Sequence, residues 1–232
     1  MKFPILVVVM PVYNEKEIIK KVIKDWLKAT IKIRSVIIIV DDGSTDETLK
    51  IVKSIKSKRL IILKQNNAGH GPAILKGYNY SKKLRAKYIF QVDTDNQFFS
   101  SDFKNFWKLR EKFDLILGYR NIRYDANLRL ILTRFLRFFL FISFGVNIKD
   151  SNIPYRLMSR KFLEYSLKNF DLRKINIVNI FLSVIAAKKF KIITLTVKHK
   201  KRLTGKVSIV NFRLFKFCLM SVINLIKLKF TL

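Results

Sequence analysis

The chain has 232 residues, of which 47 are Lys or Arg and 16 are Asp or Glu, so its formal net charge is +31, and 50% of its residues are hydrophobic. This hydrophobic content excludes a disordered basic tail and is enough for one substantial core. The single cysteine, Cys218, excludes an intrachain disulfide scaffold, and no cluster of His and Cys has the spacing of zinc ligands.

The positive charge is concentrated in the second half of the chain. Residues 1–119 contain 23 basic and 12 acidic side chains, a difference of +11, whereas residues 120–232 contain 24 and 4, a difference of +20. Net charge indicates the kind of partner rather than the fold. We therefore expect the second half to face something anionic: a nucleic acid, an anionic membrane surface or a phosphorylated substrate.

The first half alternates short β-branched runs with longer helical patterns, which predicts an α/β fold with a mostly parallel sheet flanked by helices. The predicted strands are Ile5–Met10, Ser35–Val40, Leu60–Leu63, Tyr88–Val92 and Asp114–Gly118, with Ile192–Val197 later in the chain. Asn14 and Ser44 are each followed three residues later by a Glu, so we predict that they cap helices after the first two strands. Pro72 suits the first turn of the next helix.

Two amphipathic segments follow residue 120. Asn127–Phe144 is rich in Phe, Leu, Ile and Arg, and Ile209–Phe230 has a narrow polar stripe of Arg213, Lys216, Asn224 and Lys227. A wide apolar arc with cationic polar residues is typical of a helix in a membrane interface, although packing in the core is the alternative. The longest charge-free apolar run, Phe138–Ile148, has 11 residues. A bilayer span needs about 20, so we predict no transmembrane helix.

Carboxylates follow two of the predicted strands. Asp41 and Asp42 come after Ser35–Val40, and Asp93 and Asp95 come after Tyr88–Val92. Ligand sites of parallel sheets gather at the carboxyl ends of the strands. Oxygen ligands of this kind suit Mg²⁺ or Mn²⁺, whose coordination shell substrate phosphates then complete. A helix cap or an Asx turn is the structural alternative for an isolated Asp-x-Asp.

The order of several motifs resembles that of family 2 glycosyltransferases of the GT-A fold. The motifs are Pro11-Val12-Tyr13-Asn14-Glu15, Asp41-Asp42-Gly43-Ser44-Thr45-Asp46, then Asn67, Gly69, Ala73 and Gly77, and finally Asp93-Thr94-Asp95-Asn96-Gln97. The chain is most similar to the dolichol-phosphate mannose synthase group and its bacterial polyprenyl-phosphate relatives. The resemblance implies a GT-A domain over residues 1–208, with a nucleotide-binding half (1–119) and an acceptor half (120–208). Residues 209–232 would form an amphipathic membrane-interface segment.

The resemblance also implies roles for individual residues. Those expected to bind the nucleotide-diphosphate sugar are Pro11, Tyr13, Glu15, Asp41, Asp42, Asp93 and, from a basic C-terminal loop, Arg202. Those expected to hold the divalent metal are Asp93, Asp95 and Gln97. Arg120 in Gly118-Tyr119-Arg120, Arg134 and Arg156 are expected to bind an acceptor phosphate. Asp93, Asp95, Arg120 and Arg134 are the candidate catalytic residues.

Two further positions affect the interpretation of the site. A later motif departs from that of the group, because Ile153 replaces a Ser and Pro154 replaces a Gly. In this chain the motif is Asp150-Ser151-Asn152-Ile153-Pro154-Tyr155-Arg156. This leaves a different acceptor open. His70, between Gly69 and Gly71, could be a catalytic base, but a simple loop histidine is the favoured interpretation, because the sequence indicates no carboxylate that would orient it.

The resemblance implies a metal-dependent inverting transferase that moves a sugar from a nucleotide diphosphate to a polyprenyl phosphate, as a peripheral protein on the cytoplasmic face of a membrane. A phosphate acceptor is already ionised and needs no strong base, and no adjacent acidic pair occurs after Gln97. One alternative is a transferase that glycosylates a hydroxyl, with Asp150 as base. The other is a nucleic-acid-binding protein. We expect no nucleic-acid partner, because the basic residues of both amphipathic segments alternate with large apolar ones.

Overall fold

The computed structural model describes residues 3–121, 127–175, 177–201 and 222–229, with the backbone alone for 127–131 and Lys174. Within these ranges, seven strands form one sheet in the order β3-β2-β1-β4-β6-β5-β7. The strands are β1 (Leu6–Val12), β2 (Ser35–Asp41), β3 (Leu60–Lys64), β4 (Tyr88–Val92), β5 (Leu115–Arg120), β6 (Tyr155–Ser159) and β7 (Ile192–Val197). The helices are α1 (Ile19–Ala29), α2 (Thr48–Ser54), α3 (His70–Lys83), α4 (Phe103–Leu109), α5 (Asn127–Phe144), α6 (Arg160–Asn169) and α7 (Val178–Lys189).

The sheet is parallel except for β6, which pairs antiparallel with both β4 and β5. Parallel neighbours need crossover connections, and α1, α2 and α3 supply them in the first half. The carboxyl ends of β1, β2, β4 and β5 therefore lie at one edge of the sheet, together with the start of β6. We call this the carboxyl edge, and the opposite one the amino edge.

The core lies on both faces of the central strands. Every residue of β1 is buried, as expected for a strand covered by helices on both sides. An aromatic cluster packs on one face, where the Phe90 and Tyr155 ring centroids are 4.8 Å apart and those of Trp26 and Phe90 are 5.0 Å apart. On α3, a Cβ at Gly77 would lie 2.3 Å from Cγ1 of Val9. This glycine lets the helix that begins at His70 pack directly on β1.

The predicted α/β fold with a mostly parallel sheet is confirmed, and so are the bounds of the helix Asn127–Phe144. The two predicted caps are wrong, because α1 begins after Ile18 and α2 after Glu47, and neither has a side-chain cap bond. Asn14 Oδ1 instead accepts the Thr45 N–H at 2.8 Å, and Ser44 Oγ accepts the Asn14 N–H at 3.1 Å. The loops after β1 and β2 thus bind each other, because this tertiary pairing satisfies both sets of polar groups.

The predicted C-terminal segment Ile209–Phe230 falls mostly outside the described residues, including Arg213 and Lys216. Residues 222–229 are helical. Asn224, predicted on the polar stripe, is buried there, and Leu225 and Leu228 belong to the hydrophobic core. This part of the segment therefore packs partly against the protein. Among the described residues, no helix combines the length and the apolar character needed to cross a bilayer.

Candidate active site

The fold brings the predicted donor and metal residues to the carboxyl edge. Val12 at the end of β1 lies in register with Asp41 at the end of β2, and Asp93 directly follows β4 on the other side of β1. Pro11 is buried in β1, and its carbonyl accepts the Thr94 hydroxyl at 3.0 Å. This bond ties the loop after β4 to the end of β1. Tyr13 and Glu15 follow β1 at the same edge, with Tyr13 exposed and Glu15 buried.

Asp93 is paired with His70, which lies at the first position of α3. His70 Nε2 is 2.8 Å from Asp93 Oδ1, and 46% of the His70 side chain is exposed. Burial by itself would lower the pKa of His70, but the charge and hydrogen bond of Asp93 outweigh it and raise that pKa. A carboxylate can only accept, so the ring nitrogen donates. The interpretation of His70 as a loop residue without a carboxylate partner is wrong, because a carboxylate 23 positions away in sequence has no local signature.

The loop after Asp93 offers oxygen atoms suited to a divalent metal. Asp95 Oδ1 accepts the Gln97 N–H at 3.1 Å, while Gln97 Nε2 donates to the Lys200 carbonyl at 3.4 Å, which leaves Gln97 Oε1 for a cation. In the described part of the chain, no three His, Cys, Asp or Glu side chains gather into a cluster that could hold a metal alone. The two carboxylates and the amide fit Mg²⁺ or Mn²⁺ only together with substrate phosphate oxygens.

The chain segment after β7 is attached to this loop. Phe98 and His199 form an antiparallel bridge, and the Lys200 N–H donates to the Gln97 carbonyl at 3.0 Å. Lys200 Nζ donates to Asn96 Oδ1 at 2.9 Å, and burial lowers the pKa of Lys200. Sequence reasoning missed Lys200, since one Lys in a basic loop carries no signal. Arg202 lies outside the described residues, two positions beyond this anchored Lys.

Asp42 has a role that the sequence did not indicate. It is buried, and its Oδ1 accepts from Gln65 Nε2 at 2.7 Å and from the Ala68 N–H at 2.9 Å, while Oδ2 accepts from the Gly69 N–H at 2.8 Å. These three bonds hold the loop that ends at His70. Asp42 thus shapes the loop through buried contacts, and its contact with the nucleotide stays a prediction. Asp41 is also buried, and its Oδ1 accepts the Ser44 N–H at 3.2 Å.

Arg120 and the buried Asp150 form an ion pair at the same edge. Arg120 Nε donates to Asp150 Oδ2 at 2.8 Å, and Arg120 Nη2 donates to Asp150 Oδ1 at 3.1 Å. The side chains are 12% and 2% exposed, respectively. This fork holds the guanidinium in one orientation. It also occupies both oxygens of Asp150, so the carboxylate is poorly placed to act as a base.

The prediction that Arg156 binds the acceptor phosphate is contradicted by its position. Arg156 is fully buried, and its five N–H groups donate to the carbonyls of Ser151, Ile153 and Asn179 and to the Ser183 hydroxyl. Burial lowers its pKa to about 10, so it stays charged at neutral pH. With no donor left for a phosphate, Arg156 stabilises the loop before β6. Arg134, by contrast, is exposed on α5.

The departure at Ile153 does not alter the surface of the site. Ile153 is fully buried, and a Cβ at Gly118 would lie 2.8 Å from its Cδ1. The isoleucine therefore fills the space above Gly118, which precedes Tyr119 and Arg120 on β5. Because the Ile153 side chain lies in the core and not at the carboxyl edge, the replacement of Ser by Ile carries no direct information about the acceptor.

We expect His70→Ala to weaken divalent-metal binding by about tenfold or more, because a side chain that orients a metal ligand contributes that much in other sites. His70→Gln keeps an N–H donor and should recover part of the affinity. Calorimetric titration of the protein with Mn²⁺ in the presence of a nucleoside diphosphate measures this affinity. The comparison variant is His199→Ala, which removes the second of the two histidines in the chain. Unchanged Mn²⁺ affinity in His70→Ala would show that His70 does not support Asp93.

Residues 7–167 match the family described as Glycosyl transferase family 2. A dolichyl-phosphate beta-glucosyltransferase of Dictyostelium discoideum is 32% identical over 185 residues, which cover 67% of this chain and 54% of the relative. An undecaprenyl-phosphate 4-deoxy-4-formamido-L-arabinose transferase of Yersinia pestis is 26% identical over 226 residues, which cover 94% of this chain and 64% of the relative. The chain thus spans less than two thirds of the length of these relatives.

The fold is that of a solved glycosyltransferase. Glucosyl-3-phosphoglycerate synthase from Mycobacterium tuberculosis, in complex with Mn²⁺, uridine diphosphate and phosphoglyceric acid, superposes with a TM-score of 0.70 and 15% sequence identity. The alignment covers 97% of this chain and 78% of that one. This likeness confirms the expected GT-A architecture.

Proposed function

Because the chain belongs to glycosyltransferase family 2, we propose that it transfers a sugar, with inversion, from a nucleotide-diphosphate donor to a polyprenyl phosphate at a membrane surface. Tyr13, Glu15 and the Asp93–Gln97 loop would bind the donor. Asp93, Asp95 and Gln97 would hold Mg²⁺ or Mn²⁺. The bound metal would neutralise the charge that develops on the diphosphate leaving group. Arg202, which lies outside the described residues, would bind the same diphosphate.

One observation favours a phosphate acceptor over a hydroxyl, namely the Arg120–Asp150 pair. Asp150 would be the base for a hydroxyl acceptor, but both of its oxygens accept from Arg120 and its side chain is 2% exposed. An ionised phosphate needs no base, and a guanidinium held in one orientation can position it for attack on the anomeric carbon. The new bond then forms between that carbon and a phosphate oxygen, while the bond to the diphosphate breaks.

The direct test is a panel of UDP- and GDP-sugars assayed with polyprenyl phosphate in membranes, with and without divalent metal. The matched control acceptor is the polyprenol, which has the same chain but no phosphate. We expect turnover of one donor with the phosphate only, and loss of turnover after chelation. Transfer to the polyprenol at a comparable rate would instead favour the hydroxyl-acceptor reaction.

Helix α5 supports the membrane part of the proposal. Phe135, Phe138, Phe141 and Ile142 are each more than 50% exposed. They lie at helical spacing beside the exposed Arg134 and Arg137, while Leu140 and Phe144 on the other side are buried. Such a combination of exposed rings and cations suits the interface of an anionic bilayer.

We expect Phe138→Ser to reduce binding to vesicles that contain anionic lipid by about tenfold, since full burial of a Phe side chain contributes roughly 1.5–3 kcal/mol. High salt should release the wild type only in part, because salt screens the cations but not the apolar contacts. Co-sedimentation measures both effects. The matched control is Ile31→Ser, which removes another exposed apolar side chain (69% exposed) from outside α5. Equal losses in both variants would argue against α5 as the membrane contact.

A further inference from the structure

A cavity that is open to solvent lies at the amino edge of the sheet, away from the candidate active site. Its volume is about 610 Å³, and it is lined by Phe3, Pro4, Ile5, Arg34, Arg85, Lys87 and Arg160. Lys87 directly precedes the five residues of β4 and Asp93 directly follows them, so a rise of about 3.3 Å per residue separates the two sites by roughly 20 Å. None of these lining residues belongs to the donor, metal or acceptor set.

Three of the four cations are held in place around this cavity. Arg34 Nε donates to the Phe3 carbonyl at 2.8 Å, and the Arg85 guanidinium lies 5.0 Å from the centroid of the Phe3 ring. Arg160 Nε donates to Glu164 Oε1 at 2.8 Å. In the described ranges, Glu164 is the one carboxylate that pairs with any of the four. Most of their N–H groups therefore remain available to an anion.

Arg85 occupies a backbone conformation that usually belongs to glycine. It follows the C-cap of α3 with a φ of +53°, and its N–H donates to the Lys82 carbonyl at 3.0 Å. Glycine is the preferred residue at this position after a helix, because a Cβ is disfavoured there. Arg85 keeps this conformation although it is not a glycine, and its side chain lines the cavity.

We propose that this cavity binds an organic phosphate. Guanidinium groups recognise phosphate through paired N–H donors, and Lys87 adds a fourth positive charge. Phe3, Pro4 and Ile5 provide an apolar surface for the organic part. The ligand could be supplied as a soluble phosphate ester or as a phospholipid headgroup, which share this chemistry. The proposal does not depend on the transferase reaction.

The test uses the full chain with chelator present, so that metal-dependent donor binding does not contribute. Glycerol 3-phosphate is the soluble probe, measured by calorimetry, and phosphatidylglycerol vesicles are the lipid probe, measured by co-sedimentation. The variants are Arg85→Gly, whose glycine suits the positive φ, and Lys87→Ala. Lys82→Ala and Lys83→Ala are the controls, because they remove the same charge from exposed positions at the end of α3 that do not line the cavity.

We expect Arg85→Gly and Lys87→Ala to weaken binding of one of the two probes by about tenfold, as loss of a charge-assisted hydrogen bond does. The controls should change it by less than about twofold. The probe that responds identifies the source of the phosphate. The proposal is overturned if neither probe binds the wild type saturably, or if cavity and control variants lose affinity equally, since that would reflect net charge alone.

Discussion

Asp93→Asn and Asp95→Asn are each expected to lower sugar transfer by about 10²-fold or more, since a lost metal ligand removes charge stabilisation of the leaving group. Both residues lie at the half-buried carboxyl edge rather than in the core, so the fold should survive. In Asp93→Asn the amide keeps an oxygen that can accept from His70. The measurements are kcat with the donor identified by the panel, the affinity for Mn²⁺, and thermal unfolding.

The control for the carboxylate substitutions is Glu111→Gln, which makes the same change of charge at an exposed residue paired with Arg110. It should retain full activity. Full activity of both Asp93→Asn and Asp95→Asn, or a wild type that is indifferent to chelator, would contradict the metal assignment.

The second large effect concerns the acceptor phosphate and the Arg120–Asp150 pair. Arg120→Ala would leave the Asp150 charge buried without its partner, an expected loss of about 3–5 kcal/mol in the free energy of unfolding. Removing both side chains, by Arg120→Ala with Asp150→Ala, should restore much of that stability but not the use of acceptor. Arg120→Lys should fold and still use acceptor poorly, because a Lys cannot reproduce the paired donors. Urea unfolding and the acceptor KM report the two effects separately.

Arg134→Ala should raise the acceptor KM while leaving donor affinity unchanged. Because Arg134 is exposed, its removal leaves no buried charge without a partner, and the fold should not be affected. Arg137→Ala is the matched control on α5, where Arg137 Nε donates to Asn147 Oδ1 at 2.8 Å. If donor affinity falls as much as acceptor use in the Arg120 and Arg134 variants, these arginines do not bind the acceptor phosphate.

Much of the candidate site could be predicted because its placement follows from topology. Once Tyr88–Val92 reads as a strand in a parallel sheet, Asp93 must lie at the carboxyl edge with Asp41 and Arg120. The helix α5 could be predicted for a different reason, because helical spacing is a local property of the sequence. Arg156 could not be placed in this way. A motif Arg can face the site or the core, and here the carbonyls of two separate segments hold it in the core.

The sequence by itself determined the α/β architecture, the family, the edge where chemistry can occur and every strand except β6, because hydrophobic periodicity acts through local spacing and the carboxyl edge follows from chain connectivity. The antiparallel strand β6 was not predicted. The tertiary structure alone decided the partners of the polar side chains. His70 meets Asp93 across 23 positions, Arg120 meets Asp150 across 30, and Lys200 meets Asn96 across 104. These pairs form because a buried or half-buried polar group must find a partner among its neighbours in space, and chain separation places no limit on which neighbour that is.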